Sequence, residues 1–62
     1  MQAGQKYRAR IEGKGASGDW RVMVEGTTVF IKDAQNREFS AGDMVDIKIT
    51  EIRKHSAFAV LV

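Results

Sequence analysis

The chain has no cysteine, no proline, one histidine and no apolar run near the roughly 20 residues that span a bilayer. Each absence removes a class of explanation. Without cysteine there is no disulfide to hold a small fold, no thiolate metal site and no thiol nucleophile, and the composition suits a reducing interior. His55 has no carboxylate placed by sequence to orient it, and the acidic residues lie scattered among turns, so neither catalysis nor a metal centre is expected. The opening "MQAGQKYRAR" lacks the apolar stretch of a signal peptide, and a cytoplasmic protein without membrane association is expected. At 62 residues, the expectation is one domain, 1–62, whose core leaves only a small net stability unless its architecture is economical.

What is present points to a folded chain. Hydrophobic residues at 44% and charged residues at 29% argue against disorder. The net charge of +2 is modest but unevenly placed. Lys6, Arg8, Arg10, Lys14 and Arg21 face only Glu12 and Asp19 in the first third. Acids outnumber bases from Val22 to Ile52, and Arg53 and Lys54 then follow without an opposing acid. Such asymmetry suits an anionic partner, although basic strand faces also protect small proteins from edge-to-edge pairing.

"GKGASG" (Gly13 to Gly18) fits the dinucleotide spacing G-x-G-x-x-G. That motif works only where it opens a helix, whose N-terminus holds the pyrophosphate. The residues that follow, Asp19-Trp20-Arg21-Val22-Met23-Val24-Glu25, alternate with period two and predict a strand. The segment is therefore read as a loop between strands, and no cofactor is expected.

Alternation predicts five strands. The first, Gln5 to Glu12, points Tyr7, Ala9 and Ile11 inward and Lys6, Arg8 and Arg10 outward. In the second, Trp20, Val22 and Val24 face inward and Arg21 outward. "EGTT" predicts a tight hairpin into a third strand, with Val29 and Ile31 inside and Thr28, Phe30 and Lys32 outside. Asp33 to Asp43 reads as a connector, in which Asp33 is suited to cap a helical turn and Gly42 to supply a positive-φ turn. The fourth strand, Met44 to Ile52, buries Val45, Ile47 and Ile49, and its phase slips near Thr50, which predicts a bulge. "RKHS" is a basic loop, and "AFAVLV" is a fifth strand apolar on both faces, with undetermined phase. These elements predict an all-β fold, a small five-stranded antiparallel barrel of OB or SH3-like type.

Single-stranded nucleic acid is held by cations along its phosphates and by aromatic faces under its bases. Lys6, Arg8, Arg10, Arg21, Phe30 and Lys32 share the outward phase, with Lys14 in the loop beside them. They are expected to form one surface, extended by Arg53, Lys54 and His55. Trp20 is either a core anchor or a second platform, and Phe39 either seals the end of the barrel or stays exposed for stacking.

The chain also resembles the TRAM domain family, small RNA-binding β-barrels attached to tRNA-modifying enzymes or, in archaea, free-standing. The resemblance rests on "GQKYRARIEGKGASGD", "VEGTTVFIKDA", "AGDMVDIKITEI" and "AFAVLV", in that order. Trp20 stands where the family commonly has glycine, and Lys32 where proline is usual. The resemblance implies a free-standing, non-enzymatic protein binding tRNA or other single-stranded or structured RNA with little sequence preference, as an RNA chaperone. It carries over to Arg8, Arg10, Lys14, Phe30, Arg53 and Lys54. The default expectation is a monomer that takes no small-molecule substrate. The rival is a protein-interaction or self-associating module, with the last strand adding to a sheet edge.

Overall fold

In the computed structural model, which describes residues 1–62, the alternating segments form five strands. These are β1 (Lys6–Lys14), β2 (Trp20–Val24), β3 (Thr27–Ile31), β4 (Met44–Ile52) and β5 (Ser56–Leu61). They close into a barrel in the order β1-β2-β3-β5-β4, the Greek-key order of the OB type. Four seams are antiparallel, as expected, and the β3–β5 seam is parallel. A ring of strictly alternating directions closes only with an even number of strands, so a wholly antiparallel ring of five is impossible and one parallel seam is forced.

Closure depends on two irregularities. The first half of β1 pairs with β4, from Lys6↔Lys48 to Arg10↔Met44, and its last part pairs with β2. The register shifts between Ile11 and Gly13, which leaves Glu12 as the extra residue of a bulge. A second shift falls between Ile49 and Glu51 in β4, where the phase slip at Thr50 predicts it. Bulges bend a strand and increase its twist, which lets one strand belong to two walls. They also return Glu51 to the outside.

The inward phases of β1 to β4 hold as read. Val22, Val29, Ile31, Ile47 and Ile49 are fully buried. In β5 the inward residues are Ala57 and Ala59, opposite Val29 and Ile31 across the parallel seam. Small residues facing β-branched ones fill the narrow interior without strain. Phe58 and Val60 are thereby turned outward and half-buried.

The connector after β3 caps one end of the barrel. Asp33 caps no helical turn; its Oδ1 accepts the Leu61 N–H at 2.9 Å and ties the connector to β5. Ala34 is fully buried. Trp20 Nε1–H donates to the Arg37 carbonyl at 3.0 Å, and Phe39 packs edge-on against the indole with ring centroids 5.5 Å apart. β5 is hydrogen-bonded on both sides, to β3 and β4. It has no free edge, so the strand addition expected of an interaction module lacks its physical basis. No helix is long and apolar enough to cross a membrane.

The β2–β3 hairpin turns on Glu25 and Gly26, with φ of 51° and 79°. Two successive positive φ angles are the type I′ geometry, which favours Asn-Gly and is strained at glutamate. The Glu25 carboxylate lies 3.5 Å from the Met1 ammonium but is 62% exposed, so that ion pair contributes little. Glu25→Asn is expected to stabilise the barrel by about 0.5–1 kcal/mol, raising Tm by roughly 2–8 °C in a thermal melt. A fall in Tm would show that the carboxylate contacts outweigh the backbone strain.

Candidate nucleic-acid interface

In a closed barrel, outward phase says that a side chain is outside but not on which wall. The pairing register supplies the wall. One rung of the outer surface runs Gly13, Arg21, Phe30, Phe58, Glu51, crossing from β1 through β2, β3 and β5 to β4. Phe30 and Phe58 are neighbours across the parallel seam, with centroids 6.3 Å apart and planes inclined at 48°. Both rings are half-buried. They form an apolar strip with Arg21 as the cross-strand neighbour of Phe30.

Two loops converge on this strip. From the β1–β2 side, Gly15 backs onto the Phe30 ring so closely that a Cβ there would lie 3.1 Å from Cε1. Glycine at this position lets the loop approach the aromatic ring without pressing on it. From the β4–β5 side, the Arg53 guanidinium carbon sits 5.5 Å from the centre of Phe58, and from the end of β3 Lys32 Nζ sits 5.0 Å from it. Cations at these distances are attracted to the ring faces. Arg53 is also ion-paired with Glu51. Lys54 and His55 are exposed in the same turn. The strands around β2 and β3, together with the first and last loops, are where OB-type barrels bind oligonucleotides.

Several expected members lie elsewhere. Arg8 pairs with Asp46 across the β1–β4 seam at 2.9 Å, and Arg10 stands opposite Met44. Both belong to the wall that β1 shares with β4, not to the rung of Phe30, so the expected single surface is divided. The physical reason is the split pairing of β1. Trp20 is buried, with its N–H committed to the connector, and presents no open platform; Lys14 Nζ lies 5.1 Å over its ring. Phe39 is half-buried against Trp20, with the Arg37 guanidinium carbon 5.7 Å over its ring. It seals the end of the barrel.

Phe58 is the member that sequence reasoning missed. A strand reading "AFAVLV" is apolar in both phases, and only the alanines opposite Val29 and Ile31 decide which set points out.

Comparison with known proteins identifies this architecture. The model of the TRAM domain family matches residues 1–62. The chain belongs to the TRAM domain family. A ribosomal RNA large subunit methyltransferase E of Methanosarcina barkeri is 39% identical over 59 residues, which are 95% of this chain and 20% of that enzyme. The chain therefore spans about a fifth of the length of such relatives. An uncharacterised protein of Methanocaldococcus jannaschii is 36% identical over 95% of this chain and 70% of its own length. The solution structure of a conserved protein from Methanococcus maripaludis matches with a TM-score of 0.78 at 29% identity, over all of this chain and 81% of that one. GSP13 from Bacillus subtilis shares the fold, with a TM-score of 0.68 at 20% identity over 98% of this chain and 54% of that one.

Beneath the aromatic strip, the TRAM barrel is pinned by a buried acid. The Asp19 side chain is 2% exposed, yet each oxygen is satisfied. Lys32 Nζ donates to Oδ2 at 2.8 Å, Gln35 Nε2 to Oδ1 at 2.9 Å, and Ser17 Oγ lies 3.4 Å from Oδ2. The Lys32 hydrogen bond first, and the Gln35 bond next, hold this carboxyl below the usual carboxylate range against the opposing effect of burial. Lys32 thus stands over Phe58 with its charge already balanced by Asp19.

Because the folded-state pKa of Asp19 is depressed, its contribution to stability is complete above the unfolded value. It is lost as pH falls through the folded one. Asp19→Asn is expected to destabilise the barrel by about 1–3 kcal/mol at neutral pH. The gap between wild type and variant should narrow below roughly pH 4, as read by urea melts from pH 7 to pH 2. A gap that stays constant through the acid range would mean that the carboxylate charge is not what holds Lys32 and Gln35.

Proposed function

We propose that this TRAM barrel binds RNA with little sequence preference, stacking unpaired bases on the Phe30–Phe58 strip while Arg21, with Lys54 of the adjoining turn, attracts the phosphates. The observation that carries this reading is the in-register aromatic pair on the outer wall, bordered by Arg21 of β2 on one side and by the basic turn that carries Arg53 on the other. Aromatic faces accept any base, and ammonium and guanidinium groups accept any phosphate, so such a surface does not demand a sequence. A ribosomal RNA methyltransferase among the relatives carries a segment similar to this whole barrel, which supports RNA as the polymer.

An interface this small binds weakly and releases readily. Preference for unpaired strands shifts structured RNA, tRNA included, toward open forms without a nucleotide fuel, which is the action of an RNA chaperone. No covalent step is involved.

Binding to a fluorescent single-stranded oligonucleotide should weaken linearly in log K against log salt, with a slope of roughly −0.7 per phosphate neutralised. Phe58→Ala and Phe30→Ala should each reduce affinity by roughly five- to a hundredfold, since a stacked base contributes about 1–3 kcal/mol. Arg10→Ala, on the other wall, should have a smaller effect. Affinity that is flat in salt, or that survives loss of both phenylalanines, would overturn the reading.

A further inference from the structure

Lys6 and Lys48 stand directly opposite each other across the β1–β4 seam. Both are exposed on the outside of the barrel, and neither takes part in an ion pair. Directly opposed like charges on neighbouring strands repel and destabilise a sheet. Two residues along β1, the same seam solves this problem: Arg8 faces Asp46 and is neutralised by it. The Lys6–Lys48 position is the one rung of this seam where two cations meet without an acid.

Its surroundings connect it to the aromatic strip. Lys48 pairs on its other side with Val60 of β5. The parallel register, Phe30↔Phe58 and Ile31↔Ala59, continues just past the end of β3, where the Lys32 N–H donates to the Ala59 carbonyl at 2.8 Å, and brings Lys32 abreast of Val60. A rung Lys6, Lys48, Val60, Lys32 therefore lies beside the rung of Arg21, Phe30 and Phe58. Its acidic residue is Asp19, opposite Lys32, and because Asp19 balances Lys32, the two uncompensated ammonium groups are those of Lys6 and Lys48.

We propose that the Lys6–Lys48 pair is a seat for an RNA phosphodiester, extending the site around the barrel from Phe58 over Val60 to the β1–β4 seam. The inference rests on the RNA-binding reading given above. Cβ atoms of directly opposed residues lie about 4.5–5.5 Å apart, so two flexible ammonium groups reach one anion between them. An anion between them offsets one repulsion with two attractions. The half-buried Val60 supplies an apolar step between the aromatic strip and the seat. The RNA then runs across the strands from β3 to β1, and its footprint exceeds the bases stacked on the two rings.

A purely structural lysine and a phosphate seat predict opposite couplings of stability and binding. Lys48→Glu removes the repulsion and gives Lys6 a partner, so the RNA-free variant should melt at a higher temperature than wild type. The same variant should bind a twelve-nucleotide single strand at least fivefold more weakly, with a salt slope shallower by roughly 0.7, the contribution of one neutralised phosphate. A trinucleotide, long enough only for the aromatic strip, should bind variant and wild type alike. Lys48→Gln should move in the same directions by smaller amounts and serves if the glutamate variant does not fold.

Unchanged affinity and salt slope for the longer strand in either folded variant would overturn the seat. So would an equal loss for the trinucleotide, which would indicate the general field of the protein and not a local contact. Loss of binding in Phe58→Ala together with no effect at Lys48 would sink the seat and leave the aromatic reading intact. Failure of the wild type to bind any RNA would sink both.

Discussion

Every strand of this barrel is hydrogen-bonded on both sides, and the rest of the structure depends on that closure. A chain of this size has too little core to tolerate exposed strand edges and carries no disulfide to compensate for them. Closure puts one face of each strand into a common interior and leaves the opposite face outside. It requires β1 to leave β4 and join β2 part-way along its length, which the bulge at Glu12 permits. It also forces the parallel seam between β3 and β5, because five strands cannot alternate around a ring. That seam is what sets Phe30 beside Phe58. The aromatic strip is thus a consequence of strand parity as well as of composition.

Much of the radial organisation was legible in the residues. Alternation separated inside from outside correctly at Ala9, Ile11, Val22, Val29, Ile31, Ile47 and Ile49, and the break of phase near Thr50 marked a real bulge. Position around the barrel was not legible. Arg8, Arg10 and Phe30 share an outward phase, yet the arginines belong to the β1–β4 wall, because phase carries no record of which neighbour a strand has chosen. Phe58 was hidden for a different reason: with both faces of "AFAVLV" apolar, the choice is made by how much volume Val29 and Ile31 leave inside.

The Asp19–Lys32 pin left a trace that alternation does not use. A two-residue turn at Glu25 and Gly26 fixes the register of β2 on β3, so counting back through Trp20↔Ile31 sets an acid opposite a base just beyond the hairpin. Opposite charges at that rung are the sequence sign of a cross-strand pair. Burial of the acid could not be read in the same way. It follows from the connector, which folds Gln35 over the carboxylate and Ala34 into the barrel end.

The pin bears on how the outer surface can work. A cation that is to attract an anion must not already be neutralised, and by that standard the basic residues fall into two groups. Lys32, Arg8 and Arg53 each hold an acid and act first as struts that fix a wall or a loop. Arg21 and Lys48 hold none among the ion pairs of the structure, and they occupy adjoining rungs on either side of the aromatic strip. Under the proposed RNA-binding role, the struts keep the rings and loops in place, so little ordering is left to the binding step. The free charges are left to supply attraction that salt can tune. Dividing the work in this way lets a barrel of modest net charge present a surface more cationic than its composition suggests.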